Sequence, residues 1–280
     1  MAASTRDVVE GRVVLGGPAY YIGTALHYVE VGGRVVTSAS PTSRYLKKLW
    51  WLDVVEVGSG DTVFRIELAG EGRELVLVSA SKLNPGAVAR AIEGLGKAVI
   101  SLTMQELDLG YLPELVAGRD VVVDVQGFVR VAEPSGRVTL RPTAVYTVAK
   151  LLRRARYAIL RGERAEFPVE CWKDPLGCSN SLGVDVVVTN GGNPFVVASR
   201  EEERAYVIKP LKGVAGVPIG LGDVFTAVLS YYLLEEGLEL PRAAAVASTA
   251  AALKLRDRHP WFTRYELELL SPKVEISKLR

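Results

Sequence analysis

Gly220-Leu221-Gly222-Asp223 combines residue types that can handle both a phosphate and a proton. Phe225, Val228, Leu229, Tyr232 and Leu233 follow at i, i+3, i+4, i+7 and i+8, one apolar stripe of an amphipathic helix. The glycines therefore sit at a helix start. Helix N-termini present free N–H groups and positive partial charge, which bind anions, and glycine lets the backbone come close to a phosphate. A Walker loop would continue with Lys-Ser/Thr, but here Asp223 follows. A carboxylate beside a phosphate turn repels the ligand unless it takes a proton or holds a metal. In phosphoryl transfer to an alcohol, Asp223 would accept the hydroxyl proton while the N–H groups of Gly220, Leu221 and Gly222 form the anion hole. The plain alternative is a glycine turn with Asp as the helix N-cap.

The elements that must position this turn alternate. Arg34–Ala39, Lys97–Ser101, Asp120–Asp124, Tyr157–Leu160 and Asp185–Thr189 are short β-branched runs, as expected for a parallel sheet covered on both faces. Helical patterns such as Gly86–Leu95 and Tyr146–Arg156 lie between them, so the spacing predicts a doubly wound α/β fold. Thr62–Leu68 and Glu74–Ser79 alternate with period two around a Gly-rich link, Ala69–Arg73, and read as a β-hairpin. A lone hairpin is marginal in water, so it should pack on something, and a flap over a cleft is one use. A second hairpin is expected from Pro194–Ala198 with Ala205–Ile208.

Composition narrows the function classes. The 280 residues are 49% hydrophobic and 24% charged, enough for one large α/β domain, and the net charge of +2 sets up no field for nucleic acid or a membrane. The apolar run Ala243–Leu255 is shorter than the ~20 residues a bilayer needs, and no signal-peptide pattern opens the sequence. A soluble cytoplasmic protein is the expectation. Cys171 and Cys178 lack zinc-ligand spacing; two ordinary thiols are expected, with a short-loop disulfide as the alternative. His27 and His259 have no partner pattern that would mark a ligand or base.

Several segments together carry a resemblance. Gly220-Leu221-Gly222-Asp223-Val224-Phe225 resembles the G-A-G-D-x-F signature of the ribokinase-like (PfkB) carbohydrate kinases. Leu15–Tyr21 (LGGPAYY) resembles that family's N-terminal G-G motif, Asp124–Arg130 (DVQGFVR) its central D-x-Q-G-x-x-R motif, and Thr189–Gly192 (TNGG) its strand-end T-x-G. The pieces run from about Asp7 to Leu255. Ala19-Tyr20-Tyr21 and Val123–Arg130 look most like an archaeal branch that includes myo-inositol kinase.

The resemblance implies a three-layer sandwich on a mainly parallel central sheet, in one domain over residues 1–280, with a small β lid at about 62–79. It implies ATP as donor, Mg²⁺ as metal and a small polyol or sugar as acceptor, with a nucleoside as the alternative acceptor. Asp223 would be the base. Asp7, Gly16, Gly17, Tyr20, Asp124, Gln126 and Arg130 would surround the acceptor, and Asn190 and Gly191 would line the nucleotide site. Glu163 and Glu166, in Arg161–Glu166 (RGERAE), would stand near the metal. A homodimer through the lid is a further implication, for which Val63, Ile66, Leu68, Leu75 and Leu77 offer an apolar face.

Three departures from the family pattern stand out. Met1–Arg6 (MAASTR) reads as no buried strand, so the first strand is expected to be missing or truncated. Leu221 replaces the usual Ala, and Val217-Pro218-Ile219 replaces an acidic-Thr pair. A non-catalytic binding protein on the same fold is therefore the competing class; the retained Asp223 argues against it. A nicotinamide oxidoreductase would need G-x-G-x-x-G after a first strand, and none opens the sequence.

Overall fold

β-Branched runs form the centre of the molecule and helices cover them. The computed structural model describes residues 1–280 apart from 10, 11, 70, 71, 213–215, 217, 258 and 280, and apart from the side chains of 9, 67–69, 72 and 73. Gly70 and Glu71 of the hairpin link, the Leu68 side chain, and Val214, Ala215 and Val217 before the glycine turn thus lie outside the described residues.

The fold opens with β1 (Thr5–Val9), β2 (Arg12–Gly16), α1 (Gly17–Tyr28), β3 (Gly33–Ala39), α2 (Pro41–Leu46) and β4 (Leu52–Ser59). The hairpin β5 (Thr62–Ala69) and β6 (Gly72–Ser79) is followed by β7 (Lys82–Leu83), α3 (Pro85–Ala91) and β8 (Lys97–Ser101). Then come α4 (Leu112–Val116), β9 (Asp120–Asp124), α5 (Gln126–Val129), β10 (Arg130–Ala132), β11 (Val138–Leu140) and α6 (Ala144–Leu151). The last third holds β12 (Tyr157–Glu163), α7 (Val169–Lys173), α8 (Pro175–Leu182), β13 (Asp185–Thr189), β14 (Phe195–Ser199) and β15 (Arg204–Lys209). It closes with α9 (Leu221–Ser230), α10 (Leu240–Lys254), α11 (Arg264–Leu270) and β16 (Glu275–Lys278).

The main sheet has seven strands in the order β16-β15-β14-β13-β12-β9-β8. β8, β9, β12 and β13 run parallel, while β14, β15 and β16 add antiparallel pairs. Alternation along each strand sends side chains to two cores. Val121, Val123, Leu160, Val186 and Val188 pack with Val88, Leu112, Val145 and Leu182 on one face. Val122, Ile159 and Val187 pack with α1, α9 and α10 residues such as Ala25, Val228 and Ala247 on the other. A sheet buried on both faces needs continuous apolar strands, which is how these runs read.

The first residues form an isolated bridge rather than a strand, in line with the truncated first strand expected. The sequence of Met1–Arg6 predicts no buried strand, yet Ala2 and Ala3 are buried and bridge two sheets. The Ala2 N–H donates to Val36 O at 3.1 Å, and Ala3 N–H to Ser101 O at 3.0 Å. This short segment joins β8 to the three-stranded sheet β3-β4-β7. Small side chains hid it: alanine carries little strand signal, and the slot between β3 and β8 selects it by size. The Met1 ammonium donates to Val99 O at 2.6 Å, and burial lowers its pKa to about 5.

The hairpin β5–β6 is half of a four-stranded sheet, β2-β1-β5-β6, in which β1 pairs parallel with β5. Phe64 and Ile66 face inward and are buried. The helical pattern at 146–156 is α6 continued by a 3-10 turn to Arg154. Cys171 and Cys178 are not free thiols: α7 and α8 fold back around Asp174, their Cα atoms are 4.9 Å apart, and the two sulfurs are bonded. No helix among the described residues is long and apolar enough to cross a membrane.

Candidate active site

The parallel strands deliver their C-terminal ends to one edge of the sheet, where open α/β folds bind ligands. Thr103 follows β8, Asp124 ends β9, Arg161 and Glu163 lie at the end of β12, and Thr189 ends β13. The turn that starts α9 meets the same edge, and the β1–β2–β5–β6 sheet stands over it.

Gly220 is the N-cap of α9, with φ of 75°, in the left-handed region that favours glycine. A side chain there would also collide with Tyr21, whose ring carbons would lie 2.5 Å from a Cβ. Leu221, Gly222 and Asp223 form the first helical turn, whose N–H groups have no partner within the helix. Asp223 is therefore not the cap, and its carboxyl is available for chemistry.

Beneath Gly222 lies the Arg161 guanidinium; a Cβ on Gly222 would come within 2.8 Å of Nη1. Arg161 is buried, donates to Asp124 Oδ2 at 2.8 Å and to Thr189 Oγ1 at 3.1 Å, and stacks over the Phe225 ring. Thr226 Oγ1 also donates to Asp124 Oδ2, at 3.1 Å. A fixed positive charge thus lies under the turn. Asp223 is buried nearby, and its pKa is raised to about 7. Burial is the main cause; Asp124 and Asp7 add to it, while Arg161 and Arg130 oppose it.

Three spaces meet here. A central cavity of about 700 Å³ is bordered by Arg130, Arg137, Arg161, Glu163, Glu166 and the turn Gly220–Asp223. A recess of about 70 Å³ opens on the lid side, where Thr5, Asp7, Thr103, Gln126, Arg130 and Asp223 supply polar groups and Tyr21, Phe64 and Ile66 supply apolar walls. A second recess, of about 90 Å³, lies on the far side of Leu221 and Gly222. Asp223 borders both the central cavity and the lid-side recess.

The sequence candidates are distributed unequally over this geometry. Asp7, Gly17, Gln126, Arg130, Gly220 and Asp223 converge on the lid-side recess. Gly16 packs against the Asp7 carboxylate. Tyr20 is outside the recess: its hydroxyl shares a hydrogen bond with His259 Nδ1 and its ring packs on Tyr45. Asp124 lies behind the cavity wall, bound to Arg161. Gly191 borders the central cavity and the far recess, whereas Asn190 Nδ2 donates to Pro194 O at 3.4 Å. Thr5, Thr103 and Arg161 also line this region and carry no signal in the sequence that marks them for it.

No protein-family model and no curated protein sequence matches the chain. Solved structures do. A pyrophosphate-dependent kinase in the ribokinase family, complexed with a pyrophosphate analogue and myo-inositol, matches with a TM-score of 0.73 at 19% identity, over 95% of this chain and 97% of that one. Phosphofructokinase-2 from Escherichia coli matches at 0.68 and 14% identity, over 97% and 96%. A nucleoside kinase from Burkholderia thailandensis, in complex with inosine, matches at 0.62 and 16%, over 97% and 96%. The chain has the ribokinase-family fold.

Within this ribokinase fold, the metal question reduces to Glu163. Its side chain is 46% exposed, and its Oε2 accepts from Gly191 N at 3.3 Å. Glu166 is buried: its Oε2 accepts from Glu163 N at 2.8 Å, its Oε1 lies 4.0 Å from Arg130 Nη2, and burial raises its pKa. Among the described residues there is no group of three or more His, Cys, Asp or Glu side chains fit to hold a metal. One accessible carboxylate suits Mg²⁺, which keeps waters and takes phosphate oxygens for the rest of its shell.

Proposed function

We propose that this protein is a phosphotransferase that moves a phosphoryl group onto a hydroxyl of a small polyol or sugar, with a myo-inositol-like ring as the acceptor class. The observation that carries the reading is the position of Asp223. It borders both the lid-side recess and the central cavity beside the glycine turn, with a pKa near 7. A base poised near the working pH can hold a proton during reaction and release it afterwards.

The acceptor lies in the lid-side recess. Asp7, Thr5, Thr103 and Gln126 offer hydrogen bonds to neighbouring hydroxyls, while Tyr21, Phe64 and Ile66 contact the ring. One hydroxyl reaches Asp223, which accepts its proton as the oxygen attacks the terminal phosphorus. The N–H groups of Leu221 and Gly222, with Arg161 beneath them, stabilise the charge on the transferred phosphoryl oxygens. Mg²⁺ on Glu163, when bound, would neutralise donor phosphate charge.

The donor must present a terminal phosphoryl to this turn, which ATP and smaller polyphosphates both do. A cytoplasmic location and a homodimer through the lid belong to the same reading. In the lid, Ile66 and Leu75 face the acceptor recess, so the outer contact falls to the exposed Val13 and Val78.

The test is phosphotransfer by the purified protein with Mg²⁺ over inositols, hexoses, ribose and nucleosides, beside Asp223→Asn. The expected result is turnover of one polyol or sugar, reduced about 10²–10⁴-fold in the variant. Ligand binding without turnover on any acceptor would move the protein to the non-catalytic class.

A further inference from the structure

Glu106 is a fully buried carboxylate that the transfer chemistry above does not use. It lies just beyond β8, and four hydrogen bonds converge on it. Its Oε2 accepts from the backbone N–H groups of Thr103 and Met104, each at 2.9 Å. Its Oε1 accepts from Thr62 Oγ1 at 2.8 Å and from Thr103 Oγ1. A buried carboxylate persists when its oxygens are satisfied, and each of these partners is a donor.

These partners belong to the acceptor region. Thr103 borders the lid-side recess. Thr62 begins β5, the lid strand that carries Phe64 and Ile66, both apolar walls of the same recess. Thr62 Oγ1 in turn accepts from Ser81 N–H at 3.2 Å, just after β6 ends at Ser79. Glu106 therefore ties both ends of the lid hairpin to the loop after β8.

The same bonds set a direction. An ionised carboxylate accepts and never donates, and a hydroxyl has a single proton. Thr103 spends its proton on Glu106, so its oxygen lone pairs are what it can offer a ligand. Thr5 is in the same state, because its Oγ1 donates to Asp7 Oδ1 at 3.2 Å. Both threonines of the recess thus present acceptors. A ligand group that meets Thr103 has to donate, which a hydroxyl does and an ether or carbonyl oxygen does not.

We infer that Glu106 is a positioning residue that fixes the polarity of the acceptor site. By holding the Thr103 proton, it makes the site select an acceptor with a donating hydroxyl at that point. This rests on the kinase reading above and deepens it by naming a specificity determinant. Glu106→Gln reverses the local polarity. The two backbone N–H groups keep the amide oxygen, which leaves the amide N–H groups against Thr62 and Thr103. Thr103 must then accept, and its proton turns toward the recess, where it opposes the ligand's hydroxyl.

Steady-state kinetics with both substrates varied would be run beside calorimetry of myo-inositol, hexoses and ribose without donor. The proteins compared are the wild type, Glu106→Gln, Thr103→Val, their combination and Thr103→Ser. Acceptor KM is expected to rise about tenfold in Glu106→Gln and in Thr103→Val, while donor KM and kcat change less than about threefold. The double variant should be no worse than the poorer single one, because both act through one hydroxyl. Thr103→Ser, which restores the hydroxyl, should recover most of the loss. A Glu106→Gln protein that melts lower but keeps its acceptor KM has lost only structural support and overturns the inference, while leaving the kinase reading intact. Additive losses in the double variant overturn it as well. If Glu106→Gln does not fold, Thr103 decides: an unchanged acceptor KM in folded Thr103→Val overturns the inference, and a rise that Thr103→Ser reverses supports it. Polyol binding without transfer, weakened by Glu106→Gln, keeps the inference and removes the kinase reading. A wild-type protein that binds no neutral polyol overturns both.

Discussion

The ring of Tyr21 occupies the space that a side chain on residue 220 would need. A Cβ on Gly220 would lie 2.5 Å from three ring carbons, and φ of 75° already excludes most other residues. Tyr21 also borders the lid-side recess, and Lys254 Nζ lies 5.5 Å from the centre of its ring. One aromatic residue therefore sets the height of the glycine turn and forms a wall of the lid-side recess together.

Gly220→Ala should damage both. The left-handed backbone and the displaced ring together destabilise by about 1–3 kcal/mol. A thermal melt would show the loss, and kcat/KM should fall further than the drop in folded protein explains. An alanine variant with unchanged melting and activity would show that the turn tolerates a side chain.

The pH profile should follow Asp223. The base works when ionised, so kcat/KM is expected to rise with pH through about 7 and level off above it. A profile flat from pH 5 to 9 would remove Asp223 as the titrating base.

Stability should respond in the opposite sense. The folded pKa of Asp223, about 7, lies above the unfolded value, so the folded state binds the extra proton. Its contribution to stability is complete below the unfolded pKa, near ~4, and is lost as pH rises through about 7. Asp223→Asn should therefore raise the melting temperature at pH 8 by more than at pH 5. An equal shift at both pH values contradicts this.

Arg161 and Asp124 should behave as a unit. Both are almost fully buried, so Arg161→Met alone leaves an uncompensated carboxylate and is expected to destabilise by about 3–5 kcal/mol. Combining it with Asp124→Asn should recover much of that loss, a coupling that a double-mutant cycle in urea measures. Activity should stay low in the double variant, because the positive charge under Gly222 is gone. Simple additivity of the two stability losses would argue against the pair.

Reduction should loosen the α7–α8 turn only modestly. A disulfide spanning seven residues closes a short loop, worth about 2–3 kcal/mol in the chain-entropy picture. Thiol titration of the unreduced, unfolded protein should find neither cysteine free, and reductant should lower the melting temperature without abolishing folding. Two titratable thiols before reduction would return both cysteines to the free state expected from sequence.

Much of the architecture was legible in local pattern. The runs at 34–39, 97–101, 120–124 and 185–189 are strands, because short runs rich in β-branched residues have few other ways to be buried. The hairpin at 62–79 was legible from period two, but not its pairing with β1, since a strand's partner is set by segments far away in sequence. The burial of Ala2 and Ala3 escaped notice because small residues bridge two sheets only when the slot between β3 and β8 takes them in.

By itself, the sequence determined the glycine turn, the helix behind it and the carboxylate at its start, because each depends on neighbours within a few residues. Tertiary structure alone decided which charge supports that turn and which aromatic lines the recess beside it. Arg161 reads as a charged end to a strand until β9, β12 and α9 bring it to Asp124 and beneath Gly222. Tyr20 and Tyr21 are adjacent and alike in sequence, yet successive helix residues point about 100° apart. That rotation sends Tyr21 to Gly220 and Tyr20 to His259.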